Sequence, residues 1–193
     1  MKVKCSKCGK VTNRPNLKKR LKQLGIELQD YLRIYQCKKC CPHAYFQYVT
    51  LWIEVSEMLD PEKDIDLIEK YKHKLNWYVI SHKKLSEEFI SKYADFVKWE
   101  YISRYQKLSE EFIEKFGDRI VWYEIANTQT LSEPFIEKFA DKLNWHCVSA
   151  HQKLSPEFIV KHIDKITEYV FCNPIYKDLP DPVKLLLKIK FGG

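Results

Sequence analysis

Leu85-Ser86-Glu87-Glu88-Phe89-Ile90 is followed by three close copies of itself, and that repetition decides the fold. The copies are Leu108-Ser109-Glu110-Glu111-Phe112-Ile113, Leu131-Ser132-Glu133-Pro134-Phe135-Ile136 and Leu154-Ser155-Pro156-Glu157-Phe158-Ile159, spaced by a constant 23 residues. Ten residues after each of the first three Phe positions stands a tryptophan, Trp99, Trp122 and Trp145; an earlier, shorter copy keeps that offset from Leu67 to Trp77. A fixed period in this range marks an array of stacked structural units, none of which buries its apolar face alone.

Each unit reads as a helical hairpin. Ser86 is a good N-cap, and the glutamates behind it suit the positive end of a helix. Pro134 and Pro156 fall where a first helical turn tolerates proline, which supports serine as the cap in every copy. Phe89, Ile90 and Tyr93 then form a short apolar stripe. A second helix begins near Lys98, where Asn76, Asn144 and Thr167 in other copies are candidate caps. Trp99, Ile102 and Ser103 share its inner face. The Ser103 column reads Ser81, Ser103, Ala126, Ser149 and Cys172, all small, which lets helices approach closely. The expectation is an α-solenoid over residues 63–176, with Trp77, Trp99, Trp122 and Trp145 in equivalent buried sites. The aromatic columns read as core, and Cys147 and Cys172 as small buried hydrophobes. Positions that vary between copies face outward, so Arg104, Tyr105, Asn127, Thr128 and His151 are the candidate partner surface.

Upstream the composition changes. Residues 1–50 carry 12 Lys and Arg against two acidic residues, Glu27 and Asp30, a net of +10; the remainder carries 21 basic and 24 acidic, a net of −3. The overall +7 is therefore an N-terminal property, and points to a polyanion partner for that module only. Cys5-Ser6-Lys7-Cys8-Gly9 and Cys37-Lys38-Lys39-Cys40 are two C-x-x-C pairs, enough thiolates to close a tetrahedral, structural zinc site. Cys5, Cys8, Cys37 and Cys40 are the expected ligands, with Cys41 and His43 as alternates and an iron–sulfur cluster as the lesser alternative on the same thiols.

Between the pairs, Leu17, Leu21 and Leu24 make a helical stripe ended by Gly25, and Lys18, Lys19, Arg20 and Lys22 project from it. With Arg14 these are candidate phosphate contacts. Leu32–Gln36 and Tyr45–Val55 are rich in β-branched and aromatic residues and read as strands. The two cysteine pairs with such strands resemble the zinc-ribbon class, with a treble-clef arrangement left open by the inserted helix. The expected fold class is thus mainly α: a small β-containing zinc module over 1–58, then a helical array over 59–193. Its repeats lie near 63–84, 85–107, 108–130, 131–153 and 154–176, with a partial copy at 177–193.

The string from Leu108 to Trp122 resembles a short repeat found in many proteins of giant DNA viruses and some large phages. That resemblance implies a viral source and an interaction or virion-associated role; it carries no catalytic residue with it. The chain holds no G-x-S-x-G, Walker loop or H-E-x-x-H, and five glycines in all. The expectation is a non-enzymatic, intracellular protein with structural zinc and no small-molecule substrate or membrane. Its array would bind a protein partner; the alternative is nucleic-acid binding through the basic module.

Overall fold

The computed structural model describes residues 2–14, 16–35 and 51–192. The chain is mainly helical, and among the described residues a two-stranded sheet is its β structure. It forms two compact units, Met1–Lys98 and Trp99–Gly193, so the division falls between the two helices of the 85–107 repeat.

In the first unit, strand β1 (Lys2–Lys4) pairs antiparallel with β2 (Val11–Asn13), Val3 opposite Thr12. Helix α1 (Leu17–Leu24) buries Leu17 and Leu21 and stops at Gly25, whose positive φ of 66° lets its N–H turn back to the Leu21 and Lys22 carbonyls. Then come α2 (Leu28–Ile34), α3 (Leu51–Met58), α4 (Ile65–Tyr71), α5 (Trp77–Ser81) and α6 (Glu87–Lys92).

Two expected strands are corrected here. Leu32–Ile34 belongs to α2 and Leu51–Val55 to α3; Gln36 and residues 45–50 lie outside the described residues. Tyr31, Ile34 and Tyr35 are all buried, and so are Val55, Ser56 and Leu59. This three-and-four spacing serves a helix, and burial overrides the strand preference of β-branched and aromatic side chains. The sheet of this module flanks the first cysteine pair instead.

Helix α3 makes the bonds that mark the second helices of the repeats, although it stands outside their 23-residue spacing. Its Ser56 Oγ donates to the Trp52 carbonyl (2.7 Å), as Ser103 does to Trp99 (2.7 Å). The same serine oxygens accept a backbone N–H from the start of a later helix: Asn76 to Ser56 (2.8 Å), Lys98 to Ser81 (2.9 Å), Val121 to Ser103 (2.9 Å) and Thr167 to Ser149 (3.0 Å). All five tryptophans therefore stand four residues before the small-residue column. Small side chains are there as bonding partners as well as for close approach.

The second unit comprises α7 (Trp99–Tyr105), α8 (Glu110–Lys115), α9 (Trp122–Thr128), α10 (Glu133–Lys138), α11 (Trp145–His151), α12 (Pro156–Lys161) and α13 (Asp181–Phe191). Ser86, Ser109, Ser132 and Ser155 each cap a first helix by accepting the N–H of the Phe three residues on, as the motif requires. Asn76 and Asn144 cap second helices; Thr167 does not, and its hydroxyl is buried without a partner among the described residues. There Glu168 replaces the tryptophan, and Glu168–Cys172 and Pro174–Asp178 are 3-10 turns rather than α-helix. Ile113, Ile125, Ile136, Val148 and Ile159, all fully buried, form the centre of this unit's core.

The tryptophans are not equivalent in burial. Trp77 is buried, whereas Trp99, Trp122 and Trp145 are half-buried. Each indole N–H of Trp77, Trp122 and Trp145 donates to the carbonyl five residues earlier, at 2.7–2.9 Å, which holds the ring at the rim of the core. Lys142 and Lys165 then lie over Trp122 and Trp145 at 5.3 and 5.5 Å from the ring centre. Lysine stems cover what packing leaves open. Cys147 is buried as expected; Cys172 is exposed, on the 3-10 turn.

Candidate functional site

Three features could carry function: the thiol turn, the basic helix and the outer surface of the repeats. Cys5 and Cys8 sit in the turn joining β1 to β2, Cys5 buried and Cys8 exposed. Cys5 N–H donates to Lys10 O (2.9 Å) and Gly9 N–H returns to Cys5 O (3.0 Å). Gly9 takes φ +73°, a conformation that side chains disfavour, so the C-x-x-C-G spelling has a backbone reason. The Ser6 N–H donates to the carbonyl of Tyr35 (2.7 Å), which ties the end of α2 to this turn. Cys37, Cys40, Cys41 and His43 lie outside the described residues. Among the described residues no three His, Cys, Asp or Glu side chains gather as a metal site.

Behind the turn a buried polar cluster fastens the module to α3. Arg14 pairs with Glu54 and donates to the Tyr31 hydroxyl (2.9 Å), which itself donates to Glu54 (2.7 Å). Tyr31 is fully buried and Glu54 nearly so. Burial, and then the Glu54 charge, pushes the Tyr31 phenol well above its ordinary pKa. Thr12 and Tyr35 share a further hydroxyl hydrogen bond. Arg14 is therefore engaged inward, and the structure does not bring it to the surface with the other candidate phosphate contacts. Lys18, Lys19, Arg20 and Lys22 are all exposed on α1.

The carboxylates nearest in sequence are turned elsewhere. Glu27 and Asp30 both bind Lys70 (2.7 and 2.8 Å), and Arg33 takes Asp64 and Asp66 (3.2 and 2.7 Å). At Asp30, burial opposes ionisation, but the hydrogen bonds from Lys70 and Tyr71 outweigh it and hold the carboxyl below its ordinary value. The Arg33 hydrogen bond brings Asp66 down to about 2.

On the second unit the two kinds of helix present different surfaces. The first helices carry ion pairs from one repeat to the next, Glu114–Lys138 (2.5 Å) and Glu137–Lys161 (2.6 Å), the second joined by His162 (3.0 Å). Lys161 first, then His162, holds Glu137 below its ordinary pKa. The second helices present Tyr105, Tyr123 and, on the 3-10 turn, Tyr169, each about half exposed, with His146 and His151 also exposed. Of the expected partner surface, Arg104 is exposed but pairs with the buried Glu124 (3.0 Å), and Tyr105 stacks on Tyr101 at 6.1 Å. Asn127 is half-buried, and the Thr128 hydroxyl donates to the Glu124 carbonyl (2.8 Å). Tyr123 and Tyr169 are exposed without having been singled out in the sequence; the recurrence of Tyr after the Trp column was the available signal.

A third recurrent feature was also missed. Gln152 donates to the carbonyls of Ala126 (2.9 Å) and Gln129 (2.8 Å) and accepts the Leu131 N–H (3.0 Å). Gln129 donates to Gln106 O (2.7 Å) and accepts Leu108 N–H (3.1 Å), and Asn173 donates to Ser149 O and Gln152 O. In the first unit Lys83 reaches Glu57 O of α3 (2.8 Å) from the same position relative to the Leu-Ser motif. These side chains close the C-terminal carbonyls of the preceding repeat. Among the described residues no helix is long and apolar enough to cross a membrane. Comparison with protein-family models, with curated proteins and with solved structures finds no match to this chain.

Proposed function

We propose that the protein is a non-enzymatic interaction scaffold, an α-solenoid of short repeats whose second-helix surface in the second unit receives a protein partner. The observation that carries this reading is the contrast between the two helix surfaces. The first helices present charge, partly joined in repeat-to-repeat ion pairs, whereas the second helices, beside the Arg104–Glu124 pair, present Tyr105, Tyr123, His146 and His151, with Tyr169 on the 3-10 turn. Tyrosine contributes large, rigid contact area at little entropic cost and is enriched in protein interfaces. The resemblance of the repeats to those of giant-virus and phage proteins supports a virion-associated or host-binding setting.

The same reading gives the N-terminal module a structural zinc, held by Cys5 and Cys8 with Cys37 and Cys40, in a zinc-ribbon-like site. Zinc would supply the cross-link that a short two-stranded sheet lacks. Supporting it, the Ser6–Tyr35 bond brings the end of α2 back to the first thiol pair, and in the sequence Cys37 follows Tyr35 by two residues.

A photo-crosslinking amino acid at Tyr123, compared with one at Glu111 on a first helix, tests the surface assignment. A discrete protein adduct from Tyr123 and none from Glu111 is the expected result. Equal labelling at both positions, or adducts from Glu111 only, would refute it.

A further inference from the structure

We infer that helix α1 is a sequence-independent nucleic-acid contact, binding backbone phosphates through Lys18, Lys19 and Lys22. At 100° per residue these three fall within an arc of about 100°, on the flank away from the buried Leu17–Leu21 edge, and Lys18 and Lys22 are separated by a rise of about 6 Å. Arg20 falls on the opposite flank. All are exposed, and among the described residues no carboxylate pairs with any of them.

Two of the three lysines are placed unfavourably for α1 itself, while Lys22 stands in the last turn, where a cation suits the helix dipole. Its first turn holds no acidic residue, while Lys18 and Lys19 stand at the positive end of the helix dipole. Helices α6, α8, α10 and α12 open instead with glutamate in the first turn. A local electrostatic conflict without internal compensation is expected where a ligand supplies the missing charge. Lys7 and Lys10 differ, because they stand in the thiol turn, where a thiolate centre would itself attract them.

The chemistry of the patch selects the polyanion. A membrane-surface helix exposes an apolar side, but the leucines of α1 face the interior of its unit, and lysine and Gln23 face outward. A protein interface would need an apolar or aromatic centre, and lysine is depleted there. Duplex nucleic acid presents one charge per ~1.7 Å of axis, a density that closely spaced cations match. Lysine contacts of this kind fix position without reading bases, so no sequence preference is expected.

The test uses the full-length protein and a fluorescent 20-base-pair duplex of arbitrary sequence, read by anisotropy between 50 and 200 mM salt. The variant K18E/K19E/K22E should bind at least about ten-fold more weakly at the low-salt end, and the slope of log affinity against log salt should fall by about 3, at ~0.9 per phosphate contact. Circular dichroism checks its fold; if it fails, K18Q/K19Q/K22Q at the same exposed positions gives the same readout. The control K115E/K153E, on the repeats, should change affinity less than about two-fold. A scrambled duplex should bind as well as the first. No binding at 50 mM salt, affinity unchanged in the lysine variant, or equal affinity for polyglutamate or phosphatidylserine vesicles would each overturn the inference.

Discussion

In residues 99–193 the same bonds return in successive repeats, joining residues 18–26 apart; in residues 1–98 a set of ties is made once, between residues 30–44 apart. Arg14–Glu54 joins the segment after β2 to α3, Lys70–Glu27 and Arg33–Asp66 join α2 and its cap to α4, and none has a repeated counterpart. Repetition distributes stability over many equivalent contacts, as in a one-dimensional array. A one-off polar cluster concentrates it. The first unit is therefore expected to be vulnerable at single residues and the second to degrade in proportion to what is removed.

The sharpest break in that comparison is metal removal. Under the zinc proposal, elemental analysis finds one zinc per chain, and a chelator or Cys5→Ser abolishes amide-exchange protection over 2–35 while protection over 110–160 persists. Structural zinc in finger peptides is worth on the order of 10–16 kcal/mol, beyond what so small a module gains by packing. Metal-free protein with an ordered N-terminal module would rule the site out. Next comes Glu54→Ala, which strands the Arg14 guanidinium in a largely buried position and should cost about 3–5 kcal/mol. The double replacement Arg14→Met with Glu54→Leu should recover most of that loss in a denaturant titration. If the single variant is as stable as the parent, the cluster does not fasten the module.

In the second unit, Ile136→Ala removes a fully buried side chain and should cost about 2–5 kcal/mol by the same measurement. Ile113→Ala and Ile159→Ala should lie within about 1 kcal/mol of it if the repeats are equivalent. Gln152→Ala leaves two carbonyls and one N–H without their side-chain partner in a buried site, for about 1–3 kcal/mol. Gln129→Ala, at a half-buried position, should cost less.

Acid gives the smallest separation. Asp30, Asp60, Asp66 and Glu69 of the first unit titrate below their ordinary values, against Glu137 in the second among the described residues. A carboxylate with a lowered folded-state pKa stabilises above its unfolded value and loses that contribution as pH falls through the folded one. For Asp66 the window runs from 3.8 down to about 2. Protection factors should therefore fall more in the first unit than in the second between pH 4 and pH 2. The opposite order would contradict the ion-pair assignments.

What could be read from the residues follows the same division. The serine caps, the small-residue column and the apolar stripes were legible because each acts within one turn of helix, where local rules hold. Trp52 escaped because its surroundings, Tyr45–Val55, are β-prone, and no Leu-Ser motif stands 14 residues before it, as one does before Trp99, Trp122 and Trp145. Glu54 carried no sign of burial, since its partner Arg14 lies 40 residues away. The Gln106, Gln129 and Gln152 positions were periodic in plain view. Their meaning lies in a hydrogen bond to the neighbouring repeat, which no rule within one helix supplies. The C-x-x-C spacing was legible, whereas the Ser6–Tyr35 tie beside it joins residues 29 apart and has no local signal.

The glutamine clasp also bears on how such a chain can lengthen or shorten. Each amide reaches back to one carbonyl 26 residues earlier and another 23 residues earlier, and accepts an N–H 21 residues earlier. Each clasp closes carbonyls of the preceding copy, so the physical unit has a length and no fixed starting point. Excising residues 109–131 or residues 117–139 removes 23 residues in either case and rejoins equivalent donors to equivalent acceptors. Both shortened chains should melt at the same temperature, and a 20-residue excision, which puts the clasps spanning the junction out of phase, should melt lower and less cooperatively. Gene duplication acting on this array would be free to cut at any codon, provided that it kept the period.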